Sequence, residues 1–315
     1  MKLQNVITMY LDFKHALGMR MESEGKVLRQ FCRHLNDPEI HEVSSAAVRR
    51  FLDGQGPLTH SWKQKASVLR SFYRFAIARE MAVSMPLPAV PPIFPPLRAP
   101  HVYSTLEIKR LLTATRVLHS ARTPLRAAGF RTLLLLLYGT GMRLGEAINL
   151  TIADVDFDEQ IITVRNTKFF KSRLVPFGRS LGRALRDYAV RRAQGIPLPA
   201  GRGSPFFARP SGSAWDSGWT EALFDRIRTE ARLISLSKDR PRPRLHDLRH
   251  TRVQHQILSW YRAGRDVQHL LPKLATYLGH VDIASLQHYV AITPELLNEA
   301  NRRFERYARL ESRHE

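Results

Sequence analysis

Three separated stretches of the chain gather side chains able to handle a phosphate. They are Thr140-Gly-Met-Arg143-Leu-Gly-Glu146, His246-Asp-Leu-Arg249-His250, and Leu278-Gly-His280 with Tyr289 nine residues further on. Arg143 and Arg249 suit an oxyanion, because a guanidinium stays charged and its planar fork matches two oxygens at once. His246 and His280 can exchange a proton near neutral pH. Tyr289 carries a hydroxyl with an ordinary pKa of about 10, so it becomes a nucleophile only in a positive surround. Taken singly, each residue has a plainer explanation: Tyr289 as a half-buried aromatic, each arginine as a surface charge, His280 as the cap after a helix-stopping glycine.

Two other chemistries fit the same residues less well. His246 and His250 stand four apart, as in an H-E-x-x-H zinc helix, but Asp247 holds the second position. No third ligand follows at a suitable spacing, and Arg249 would set positive charge beside the metal. Gly139, Gly141 and Gly145 lack both G-x-G-x-x-G spacing and a Walker lysine, so they read as the bend that presents Arg143.

The elements that must position these residues are mostly helical. Ser104-Thr-Leu-Glu107 has the form of a capping box and predicts a helix through Leu112. A second helix runs from about Pro124 through the leucine run and stops at Tyr138-Gly-Thr-Gly141, with a short new helix near Leu144. Ile161 to Arg165 and Arg173 to Pro176 read as two short strands, with Lys168 and Lys171 in the turn between them. From Ser217 the pattern is helical nearly to the end, broken at Pro241 to Pro243, Gly264, Gly279 and Pro294. Upstream, Leu3 to Leu17, Val27 to Leu35, Ala47 to Leu52 and Trp62 to Ala76 form four blocks of helical spacing, a small bundle. The last block also carries Lys63, Lys65, Arg70, Arg74 and Arg79, a basic face that could lie on a phosphate backbone or simply be solvated. Prolines crowd Met85 to Pro100 and predict a semi-rigid linker. The expected organisation is therefore residues 1–84, a small helical domain; 85–100, a linker; 101–293, a second domain that is mainly α with a small β-sheet (α+β); and 294–315, a terminal helix with an apolar stripe at Leu296, Leu297, Ala300, Phe304 and Tyr307.

Composition narrows the partner. The 315 residues include 49 Lys and Arg against 28 acidic residues, a formal charge of +21, which implies a polyanion, nucleic acid above all. No run approaches the roughly 20 apolar residues of a membrane span, and the start lacks the apolar core of a signal peptide. Cys32 is the sole cysteine, so no internal disulfide framework exists. A cytoplasmic, nucleoid-associated protein without membrane contact is expected.

The R-x-x-E at Arg143 to Glu146, a lysine ahead of Arg173-Leu-Val-Pro176, the H-x-x-R-H at His246 to His250, and the L-G-H with a tyrosine nine residues on resemble the tyrosine recombinases, which include phage integrases and Xer-type resolvases. The resemblance covers most of the chain. It implies an N-terminal helical, SAM-like core-binding domain and a C-terminal catalytic domain. It also implies that Tyr289 attacks a DNA phosphodiester, forming a 3′-phosphotyrosyl bond and releasing a 5′-hydroxyl, with no metal, ATP or other cofactor. Arg143, Arg249, His246 and His280 would surround the scissile phosphate. Lys168 would protonate the leaving oxygen, although Phe169 and Phe170 stand where glycine is usual; Lys171 would contact DNA and is an alternative acid. Glu146 and His250 would support the site. Arg252 stands where the family commonly has an apolar residue. The implied partner is double-stranded DNA at specific sites, with four protomers on two sites, of this chain alone or with sister recombinases. The lead into Gly279-His280 looks more like recombinases of bacterial mobile elements than the housekeeping Xer pair. Two alternatives share these features: type IB topoisomerase-like relaxation, and a catalytically silent DNA-binding accessory protein.

Overall fold

The computed structural model describes residues 1–94, 100–165, 172–194, 198–233 and 242–279, together with 298, 299, 301, 302 and 305. The chain divides into two compact units, Met1–Leu97 and Arg98–Glu315.

In the first unit the four apolar blocks become helices α1 (Leu3–Ala16), α2 (Glu22–His34), α3 (Ser45–Asp53) and α4 (Ser61–Ala78). On α1 the buried stripe is Leu3, Val6, Ile7, Tyr10 and Leu11, an i, i+3, i+4 pattern that turns one face to the core. Met9, Phe13 and Leu17 fall on another face and stay exposed. Ser44 caps α3 by accepting a hydrogen bond from the Ala47 amide, and Gly54, at φ +65°, ends it. The proline-rich stretch begins on this unit: Met85, Leu87 and Phe94 pack against its core, with the Phe94 ring 5.6 Å from His60 and 5.7 Å from Trp62.

The second unit opens with α5 (Thr105–Ala114), whose capping box is closed in both directions. Ser104 N–H donates to Glu107 Oε2 at 2.7 Å and Glu107 N–H to Ser104 Oγ at 3.2 Å. Helix α6 (Leu125–Thr140) packs against both α8 (Arg179–Gln194) and α10 (Asp247–Arg262). It is therefore buried on most of its circumference, which is why its leucine run shows no polar face. It stops at Gly141, in the left-handed region at φ +67°, whose N–H donates to the Leu137 carbonyl at 2.8 Å. The short helix α7 (Leu144–Ile148) follows.

A three-stranded antiparallel sheet comes next, β1 (Val155–Asp156), β2 (Ile161–Val164) and β3 (Arg173–Pro176), in the order β1-β2-β3. Ile161 pairs with Pro176 and Val164 with Arg173, so the two longer strands lie antiparallel. Strand β1, two residues long, offers no pattern by which a strand is recognised. Helix α8 is likewise absent from the sequence-based expectations. Its apolar positions Leu185 and Tyr188 are buried amid arginines that mask the period. Helix α9 (Ser217–Glu230) is capped by Asp216, which accepts from the Trp219 amide. Helix α11 (Val267–Leu278) runs through Pro272 and stops at Gly279, φ +71°.

Candidate active site

Two glycine turns face each other across the second unit, and the site is built on them. The first, at Gly141, releases the chain from α6 so that Arg143 becomes the residue that opens α7. The second, at Gly279, ends α11. Both backbones need glycine twice over. Each has positive φ, and an added Cβ would meet Leu278 Cδ2 at 2.7 Å from Gly141 and Arg173 Nη1 at 2.8 Å from Gly279.

Arg249, on the first turn of α10, ties the two turns together. Only 1% exposed, it donates from Nη1 to the Gly141 carbonyl at 2.6 Å and from Nη2 to the Leu278 carbonyl at 2.9 Å. Arg252, one turn further on, lies half-buried with Cγ 3.5 Å from the place a Gly141 Cβ would take.

Glu146 holds a second junction. Its carboxylate accepts from Arg143 N–H at 3.0 Å and Arg143 Nη1 at 2.9 Å. From β3 it also accepts Arg173 Nη1 at 3.1 Å and Nη2 at 2.7 Å. Burial alone would push the carboxyl up. The hydrogen bonds from Arg173 and from the Arg143 amide, with the charge of Arg173, outweigh it and hold the pKa at about 2. The side chain of Arg143 remains 41% exposed, so its free edge is open to solvent.

His246 and His250 sit at the start of α10 with ring centroids 5.1 Å apart and near-perpendicular planes. Burial, then the Arg249 charge, lowers the His246 pKa, with Arg244 and Arg143 adding to the effect. Burial, then His246, brings His250 down to about 4. Both imidazoles are therefore neutral at physiological pH, and a neutral ring can accept a proton. Asp247 between them is fully buried and turned away, accepting from the Arg244 amide and guanidinium at 2.8 and 3.1 Å. Among the described residues no cluster of three His, Cys, Asp or Glu side chains could hold a metal.

Of the residues singled out from sequence, Arg143, Glu146, His246, Arg249 and His250 gather around this junction. Lys168, Lys171, His280 and Tyr289 lie outside the described residues, as does the apolar stripe Leu296, Leu297, Ala300, Phe304 and Tyr307. Arg173 was missed as a site residue, because it served only to set the register of the strand behind the lysine. Its signal is an arginine at the head of a strand in step with R-x-x-E. On α4, Arg70 and Arg74 are exposed. Lys65 instead donates to the Phe51 carbonyl at 3.2 Å, and Lys63 lies 4.6 Å from the Phe94 ring centre.

The chain has counterparts among known proteins. The profile described as Phage integrase family matches residues 104–295. A Sinorhizobium fredii protein, y4rB, bearing the name integrase/recombinase, is 35% identical over 301 residues, 94% of this chain and 95% of the relative. Tyrosine recombinase XerD of Corynebacterium glutamicum is 29% identical over 274 residues, covering 83% and 82%. Among solved structures, the Tn1549 transposon integrase in complex with transposon right end DNA shares the fold at TM-score 0.68. That match has 16% identity and covers 98% of this chain and 100% of that one. A lambda integrase tetramer bound to a Holliday junction gives 0.63 at 17% identity, covering 90% and 78%. The mainly helical fold with one small sheet is thus shared with known recombinases. The chain belongs to the phage integrase family of tyrosine recombinases.

Proposed function

We propose that this recombinase cleaves and rejoins DNA at specific sites through a 3′-phosphotyrosyl intermediate, with Tyr289 as nucleophile. One observation carries the reading: buried Arg249 joins the turn that presents Arg143 to the turn that leads into His280, so groups from distant stretches share one rigid frame. Arg143 and Arg249 stabilise charge building on the phosphate in the transition state. His246, kept neutral by burial and neighbouring cations, accepts the tyrosine proton while His280 hydrogen-bonds the phosphate. Lys168 delivers a proton to the leaving 5′-oxygen, with Lys171 the alternative donor. His250 supports His246. Because the bond energy is kept in the phosphotyrosyl link, rejoining needs no ATP, and the arginines take the charge-stabilising role that a metal fills in many other nucleases.

In this reading residues 1–84 and 101–293 enclose one half-site as a clamp joined through 85–100. Four protomers, with or without sister recombinases, act on two duplex sites in the cytoplasm, associated with the nucleoid. Similarity to a transposon integrase and to Sinorhizobium integrase/recombinases favours integration, excision or transposition of a mobile element.

The test is a nicked suicide duplex bearing the element's terminal sequence, incubated in EDTA with wild type and with Tyr289→Phe and resolved on a denaturing gel. A covalent protein–DNA band in wild type alone is expected. Equal binding by both proteins with no band from either would instead make the chain a silent accessory protein, and relaxation of plasmid lacking any site would make it a topoisomerase.

A further inference from the structure

Glu146 is one carboxylate between two guanidinium groups, and the two are placed differently. Arg173 commits all its nitrogens to the protein: Nη1 and Nη2 to Glu146, and Nε to the Tyr277 carbonyl at 3.3 Å. Its side chain is 14% exposed, against 41% for Arg143. Arg143 gives Glu146 a single guanidinium hydrogen bond, and its Nη2 stands 3.5 Å from the Gly279 carbonyl. Arg173 also fills the space that a side chain at Gly279 would need.

We infer that Arg173 is a positioning residue: it occupies the Glu146 carboxylate so that Glu146 orients Arg143 without neutralising it, and it braces the Gly279 turn from behind. The inference rests on the reading of Arg143 as a phosphate-binding group. The physical reason is charge count and geometry together. A carboxylate has about four acceptor sites and pairs best with one guanidinium side-on through both oxygens. If Arg173 were absent, the nearest cation for both oxygens would be Arg143. A side-on pair there would cancel its charge and turn its fork from the phosphate. With Arg173 present, two positive charges face one negative, and the surplus charge rests on the exposed partner. Because Arg173 opens β3, opposite Val164 of β2, the sheet fixes its reach.

The experiment compares wild type, Arg173→Gln, Arg173→Lys, Glu146→Gln and the double variant Arg173→Gln/Glu146→Gln. The readouts are the covalent-complex formation rate on the suicide duplex at saturating protein, the Kd for that duplex, and the urea midpoint. Arg173→Gln is expected to slow the rate roughly a hundredfold, the scale of losing one preorganised donor, while Kd changes little. Arg173→Lys, which keeps the charge and loses the fork, recovers part of the rate. The double variant is faster than Arg173→Gln alone, because removing the carboxylate releases Arg143. A scaffolding role would instead make the double variant as slow as Arg173→Gln or slower, with rate, Kd and urea midpoint falling together. That result overturns the inference, as does a wild-type rate in a folded Arg173→Gln protein. If wild type itself forms no covalent complex, the reaction reading fails separately, and a crystal structure of the Arg173→Lys or Arg173→Gln variant decides this one. Arg143 turned side-on to Glu146 in the glutamine variant, or partly so in the lysine variant, supports it, and an unmoved Arg143 overturns it.

Discussion

Glu146 and His250 are both held well below their ordinary ranges, in adjoining acid windows. Glu146 is lowered from 4.5 to about 2. Its stabilisation is therefore complete above the unfolded value and is lost as pH falls from about 4.5 toward 2. His250 is lowered from 6.5 to about 4. The unfolded chain takes up that proton before the folded one does, so stability falls between 6.5 and 4 and levels off below. Each shift corresponds to something on the order of 3 kcal/mol. In urea denaturation followed against pH, Glu146→Gln should flatten the lower window, and His250→Gln the upper one. An unchanged profile for Glu146→Gln would mean that the carboxylate is not held by Arg173 and Arg143.

Helix ends, more than helix bodies, decide what this site can do. Gly141 and Gly145 stand four residues apart, yet only Gly141 has positive φ and a neighbour 2.7 Å from an added Cβ; Gly145 has nothing within 4 Å. Gly141→Ala should cost about 1–2 kcal/mol from the left-handed backbone alone, more from the clash with Leu278, and should reduce cleavage by displacing the carbonyl that Arg249 holds. Gly145→Ala, inside α7, should be neutral or stabilise slightly, since alanine is the better helix former by about 1 kcal/mol. Thermal melts and the cleavage assay on both variants make the contrast. On α4 the exposed Arg70 and Arg74 should govern DNA affinity more than Lys63 and Lys65, whose amines already have protein partners. Replacing both arginines by alanine should lower the slope of log K against log salt by nearly one for each phosphate left unneutralised. Lys65→Ala should show itself mainly as reduced stability. A slope that responds only to the lysines would reverse this assignment.

At the scale of the whole chain, a charge of +21 calls for binding that weakens steeply with salt. If roughly six to ten phosphates are neutralised, affinity should fall roughly a thousandfold or more between about 50 and 200 mM salt, and gel shifts over that range measure it. Truncation after Thr293 should leave binding to a single half-site and abolish cooperative binding to a full site, if the terminal segment docks on a neighbouring protomer. Retained cooperativity would end that idea. The mainly helical composition, the four-helix first unit, the capping box at Ser104, the stop at Gly141 and the two longer strands were all legible in the sequence. Each rests on local rules of period, capping and φ that act within a few residues. Strand β1, with two residues, is too short to show a period, and the period of α8 was hidden under its arginines. The candidate site divides the same way. Spacing singled out Arg143, Glu146, His246, Arg249 and His250, because motif order survives in one dimension. Arg173 lies 27 residues from Glu146 and Gly141 lies 108 from Arg249, separations at which side-chain pairing leaves no local trace. Which cation holds the carboxylate, which arginine is buried and which stays open to solvent were decided only when the sheet and the two glycine turns closed on one another.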